Sequence, residues 1–172
     1  MKFEKILLSA EKSGEAEAQK AYTEAVRLLT EKGLTVSVAE SCTGGLIGKL
    51  FTDVSGTSAV FAGGMITYTN SIKINKLGVS AETVERYTEV SAECAAEMAE
   101  RAKTYFETDI GISATGFAGP TGGNEKDPVG TVYLGISSQN GTAVYRLKFD
   151  GCTRDEIRTS VAKLAAKLII CA

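Results

Sequence analysis

No histidine occurs in the 172 residues. That absence removes much familiar chemistry. A Ser-His-Asp or Cys-His nucleophilic system cannot be assembled within one subunit, and the commonest zinc and non-haem iron sites lose their usual ligand. Any general base must be Lys, Tyr, Asp or Glu. Long hydrophobic runs are missing too: none approaches the roughly 18 residues of a membrane span. The stretch MKFEKILLSAEKSGEAEAQ has too short an apolar core for a secretory signal. No window concentrates Lys and Arg, so the basic stripe that counterion release on nucleic acid requires is lacking. The four cysteines, Cys42, Cys94, Cys152 and Cys171, form no C-x-x-C pair and match no zinc or disulfide framework. They read as reduced, partly buried thiols. The expectation is a soluble cytoplasmic protein that contacts neither nucleic acid nor membrane.

What is present suits one globular domain over residues 1–172. With 44% hydrophobic residues and a formal net charge of −2, the chain can bury a full core without strong self-repulsion. Apolar positions over 15–31 recur at helical spacing and end at Gly33, a C-cap signal. LTVSVAE alternates and reads as the first strand, with a helix over 43–54 after it. Residues 58–70 form a second strand region, weakened or bulged at Gly63 and Gly64. A short helix closed by Gly78 follows, and Ser80 to Thr83 caps another. Ser91 is the N-cap of the clearest helix, 91–107. Three more strands come next, at 108–116, 130–138 and 142–150, the last two joined through Asn140-Gly141, a strong hairpin signal. A helix over 154–170 ends the chain. The order predicts an α/β protein, a three-layer α/β/α sandwich with a mixed β-sheet.

Three glycine-bearing stretches could carry chemistry. In AESCTGG, residues 39–45, a strand turns into a helix at Ser41, Cys42, Thr43, Gly44 and Gly45. Free amides of the first helical turn beside Ser41 would hold an anion or oxyanion, unless Ser41 or Thr43 merely caps the helix. The G-x-S-x-G elbow is absent, and Gly48-Lys49 lacks the flanking residues of a Walker A loop. The second stretch, residues 115–123, places Thr115, Gly116, Gly119 and Gly122 directly after a strand, where backbone can approach a ligand or simply make a surface turn. The third lies around Pro128 to Thr131. No G-x-G-x-x-G is present, which argues against a Rossmann site. Finally, Tyr68, Asn70 and Lys73 end one strand and begin a helix. Without histidine, a serine needs a Tyr or Lys partner to lose its proton, and this pair would serve; a core tyrosine and a solvated lysine are the plain alternative.

AESCTGG, ITYTNSIKINKLGV, ATGFAGPTGG and PVGTVY, in this order and spacing, resemble the CinA C-terminal domain family over residues 21–169. That family includes a stand-alone nicotinamide mononucleotide deamidase. Its larger members carry an additional domain resembling molybdopterin-binding proteins, for which these residues have no counterpart. The resemblance implies an amidohydrolase of pyridine nucleotide salvage that uses no metal or other cofactor and takes a mononucleotide as its partner. The family's serine, tyrosine and lysine match Ser41, Tyr68 and Lys73. Ser41 would attack the carboxamide, Tyr68 relay a proton and Lys73 keep one of them poised, with the amides of Cys42, Thr43 and Gly44 as the oxyanion site. The family's arginine falls on Arg154 or Arg158, since Gly151-Cys152-Thr153 departs from the expected lead. The two arginines lie at i and i+4, so either could clamp the phosphate unless both are solvated or paired with Asp155 and Glu156. Gly45, Asn70 and the 115–123 loop complete the expected ligand contacts, in a homo-oligomer taken as a dimer. A non-catalytic nucleotide-binding module and a Cys42 hydrolase remain as alternatives.

Overall fold

The computed structural model describes residues 3–9 and 12–171. Met1, Lys2, Ala10, Glu11 and Ala172, which belong to the N-terminal stretch read for a signal and to the 1–172 unit, lie outside the described residues. Helix α1 (Glu15–Lys32) carries Glu15 and Glu17 in its first turn, where the helix dipole favours anions. It stops as expected at Gly33, whose φ of 64° lets its amide reach back to Leu29 and Thr30. Strand β2 (Val36–Glu40) leads to the short α2 (Leu46–Thr52), then to β3 (Phe61–Ile66). The helical turn α3 (Asn70–Ile72) continues as a π turn over Lys73–Leu77, followed by α4 (Ala81–Tyr87) and α5 (Ala92–Tyr105). The expected cap of α5 is present: Ser91 accepts the Cys94 amide at 3.1 Å. Strands β4 (Ile110–Gly116), β5 (Thr131–Ser138) and β6 (Gly141–Lys148) precede α6 (Arg154–Cys171).

One strand escaped the sequence reading. Residues Glu4–Ser9 form β1, parallel to β6 in register from Glu4 opposite Ala143 to Ser9 opposite Lys148. The sheet of the described residues therefore has six strands in the order β1-β6-β5-β4-β2-β3. It is mixed: β4, β2 and β3 run parallel, while β5 is antiparallel to both β4 and β6. The irregularity expected at the glycines of β3 is there, since Val36 pairs with Phe61 and Ser37 already with Gly63.

Alternation along the strands sends the two faces to different helices. Val36, Val38, Ile112 and Leu134 pack with α1, α2 and α6 in the larger core. At its centre the opposite face is made of small residues, flanked by Met65, Tyr133 and Val144, and α5 settles closely on it. A Cβ on Gly111 would lie 2.1 Å from the Ala99 carbonyl, one on Gly135 2.7 Å from that of Ala95, and the Ser113 hydroxyl donates to that same Ala95 oxygen at 2.6 Å. The result is the three-layer α/β/α arrangement.

Candidate active site

Beyond the ends of β2 and β3 the ladder continues for one bond on each side. Ser41 donates its amide to Ala114 at 2.9 Å, and Thr67 donates its own to Glu40 at 2.7 Å. These bonds fix the two backbone segments that meet above the sheet. Lys73, at the start of the π turn, reaches back under them: its Nζ lies 3.0 Å from Ser41 Oγ and 2.7 Å from the Thr67 carbonyl. The lysine is 1% exposed and Ser41 9%. Burial lowers the Lys73 pKa below its usual 10.5, while Cys94, Glu89 and Cys42 oppose the shift. A solvated lysine is thus ruled out at this position.

Contrary to the sequence reading, most amides at the start of α2 are already taken. The Glu40 carboxylate, 2% exposed, folds under the turn and accepts from Gly45 at 3.0 Å, Ile47 at 3.1 Å and Gly48 at 2.8 Å. Leu46 donates to Thr43, and Gly44 donates to Ser41 O at 3.2 Å. An internal anion already neutralises this helix end, so Gly44 and Gly45 have no amide left for a ligand. The amides of Cys42 and Thr43 donate to no oxygen among the described residues. Neither hydroxyl caps α2: Ser41 Oγ is engaged by Lys73, and Thr43 Oγ1 is buried without a partner. The turn itself requires glycine, with φ of 61° at Gly44 and 98° at Gly45.

A cleft of about 300 Å³ opens over Ser41. It brings together the expected Ser41, Cys42, Tyr68, Lys73, Gly116, Gly119 and Arg154. Tyr68 lies beyond β3 rather than within it and is 62% exposed, with its ring at the mouth. The two arginines part company. Arg154 lines the cleft and donates Nη1 to the Gly119 carbonyl at 2.8 Å, whereas Arg158 spends Nε and Nη2 on the Thr43 carbonyl, at 3.2 and 2.8 Å. Thr43, Asn70, Thr115 and Gly122 do not line it. Thr115 is buried and donates its hydroxyl to the Glu89 carbonyl at 2.7 Å. Cys42 is buried, and desolvation pushes its thiol up to about 12, so the thiolate a cysteine hydrolase needs is disfavoured. A larger groove, about 650 Å³, lies across the sheet around Tyr145 and Leu168, away from Ser41 and Lys73.

A model of the CinA C-terminal domain matches residues 18–171. The chain belongs to the CinA C-terminal domain family. It is 50% identical over 125 residues to a CinA-like protein of Fervidobacterium nodosum, across 72% of this chain and 31% of that one. It is 46% identical over 144 residues to a CinA-like protein of Kosmotoga olearia, across 84% and 35%. The chain thus spans about a third of the length of these curated relatives. Among solved structures it is similar to the competence/damage inducible protein CihA of Agrobacterium tumefaciens, with a TM-score of 0.87, 35% identity, and coverage of 94% of this chain and 98% of that chain.

For this CinA domain the structure adds cleft residues that the sequence did not single out: Glu89, Val90, Phe117, Ala118 and Thr121. Phe117, Ala118 and Thr121 sit inside the recognised glycine loop. Glu89 and Val90 precede α5, in a stretch whose only local signal is the Ser91 cap. Glu40 was in plain view beside Ser41, but its role depends on a carboxylate bending back under the turn, which no local pattern encodes. Chemically, the arrangement offers a hydroxyl beside a desolvated amine and one arginine at a cleft, with the amides of Cys42 and Thr43 beside Ser41 committed to no oxygen among the described residues.

Proposed function

We propose that this CinA domain is a serine amidohydrolase that converts nicotinamide mononucleotide to nicotinate mononucleotide and ammonia, in cytoplasmic pyridine nucleotide salvage. The observation that carries the reading is the buried contact of 3.0 Å between Lys73 Nζ and Ser41 Oγ. A serine used only as a cap would not be joined to a desolvated lysine. Burial favours the neutral amine, and a neutral amine can accept the hydroxyl proton.

In this reading Ser41 Oγ passes its proton to Lys73 and attacks the carboxamide carbon. The oxyanion forms beside the amides of Cys42 and Thr43. Losing one such donor typically costs about 3–4 kcal/mol of barrier stabilisation. The C–N bond then breaks, and the nitrogen leaves as ammonia with a proton supplied by Lys73 or through the Tyr68 hydroxyl at the cleft mouth. Water adds to the acyl-serine, Lys73 takes a proton from it, and nicotinate mononucleotide departs, restoring Ser41. The net change is amide plus water to acid plus ammonia. Arg154, at the rim, is the residue that meets the phosphate in a charge-assisted contact. Arg158 instead holds the Thr43 carbonyl and so the carbonyl side of the nucleophile turn.

Ammonia release from the nucleotide, the nucleoside and free nicotinamide, measured side by side, tests the reading. The expected result is rapid release from the nucleotide alone, abolished by Ser41→Ala with an unchanged circular dichroism spectrum. Binding of the nucleotide with no ammonia release would instead identify a nucleotide-binding module.

A further inference from the structure

The turn that leads into α5 carries an acidic side chain into the cleft at the cost of backbone strain. Thr88, a β-branched residue, has φ 73° and ψ 166°, a conformation that L residues rarely adopt. It is held there from several sides. Its amide donates to Val84 at 3.0 Å, its hydroxyl to Val90 O at 3.2 Å, and its carbonyl accepts the Ser91 hydroxyl at 2.9 Å. The next residue, Glu89, is fixed through its carbonyl by the buried Thr115 hydroxyl at 2.7 Å. Strain over-determined in this way marks a place where a side chain is being aimed. Glu89 lines the cleft with Ser41, Tyr68, Lys73 and Arg154, and its carboxylate makes no ion pair or hydrogen bond among the described residues.

We propose that Glu89 is a specificity-determining residue whose carboxylate faces the positively charged pyridinium ring of the bound mononucleotide. The proposal rests on the functional reading above. That ligand has charges of opposite sign at its two ends, and the cleft offers a matching pair: Arg154 for the phosphate and Glu89 for the ring. The match also separates substrate from product. Hydrolysis places a carboxylate on the ring, which Glu89 repels, and so product release is favoured. Lys73 is faced by Glu89, Cys94 and Cys42, and burial pushes both thiols up to about 12, so neither thiol supplies a negative charge there near neutral pH.

The test compares two ligands that differ in ring charge: nicotinamide mononucleotide and its dihydropyridine form, which is uncharged at the ring. Affinities are measured by calorimetry in a Ser41→Ala background, with and without Glu89→Gln. Loss of one attraction across a partly solvated cleft weakens the cationic ligand by roughly five- to tenfold. The uncharged form should change less than twofold, and Glu89→Asp should keep the discrimination. Equal changes for both ligands, or none, would overturn the role of Glu89. Ammonia release by the unmodified protein is followed in parallel. No release from the mononucleotide would overturn the functional reading itself, whereas release combined with equal affinity changes removes only the proposal for Glu89.

Discussion

In the proposed mechanism most of the chemistry turns on Lys73, and the environment of that residue predicts how the protein responds to pH. Desolvation lowers its folded-state pKa below 10.5, so the unfolded chain binds more protons between the lowered value and 10.5. Stability therefore rises with pH across that window, and the cost of burying the ammonium is fully present below it. On the proposed mechanism activity has the same sign, because there the neutral amine serves as the base. Below the Lys73 pKa, kcat/KM should fall about tenfold per pH unit. Lys73→Met removes a buried charge and keeps the volume, so the melting temperature should hold or rise while the rate drops by about 10²- to 10⁴-fold. A pH–rate profile and a thermal melt of the two proteins check this. A loss of stability in the variant together with a retained rate would mean that Lys73 is structural.

Among the elements, the turn between β2 and α2 is held by two groups that do not line the cleft, Glu40 and Arg158. Glu40→Gln leaves a shape of the same size but replaces one acceptor oxygen by a donor facing amides that themselves donate. Loss of the carboxylate should cost about 1.5–3 kcal/mol, read as a lower denaturation midpoint. The two arginines of α6 should separate cleanly. Arg154→Ala raises KM for the nucleotide and little else, and Arg158→Ala lowers kcat at nearly constant KM because the Thr43 carbonyl is released. Steady-state kinetics on nucleotide and nucleoside distinguish these outcomes. The split itself was illegible in the sequence. Spacing at i and i+4 puts both arginines on one helix face, but which carbonyl each finds depends on the neighbouring loops. The helix caps at Gly33 and Ser91 and the Asn140-Gly141 hairpin were legible because each is a local backbone requirement. Strand β1 was not, because its partner β6 is remote in sequence and its six residues EKILLS show little alternation.

For the molecule as a whole, the closeness of α5 to the sheet is a global constraint that glycines satisfy. Gly111→Ala would press a methyl onto the backbone of α5 at Ala99 and Lys103, so the whole helix must shift. Overpacking of this kind costs about 1–3 kcal/mol. At roughly 2–4 °C per kcal/mol for a chain of this size, differential scanning calorimetry should show a clear drop in melting temperature. The three-layer architecture was legible because alternating strands and amphipathic helices can bury their apolar faces in few ways. The small-residue face against α5 was not, because glycine in a strand reads locally as weakness rather than as a docking surface.

The reversal of direction between β4 and β5 divides the molecule into two poles. Ser41, Thr67 and Gly116 follow or end the parallel strands at one pole, while Ser137 pairs with Gly111 and carries the chain to the other. The β5–β6 hairpin at Asn140 and Gly141 is therefore a handle: exposed, tight in its turn and remote from the chemistry. A fluorophore, an affinity tag or a tether to a surface attached there leaves the pole that carries Ser41 and Lys73 facing outward, so the fold already contains the layout of an immobilised reagent whose cleft stays open to solution.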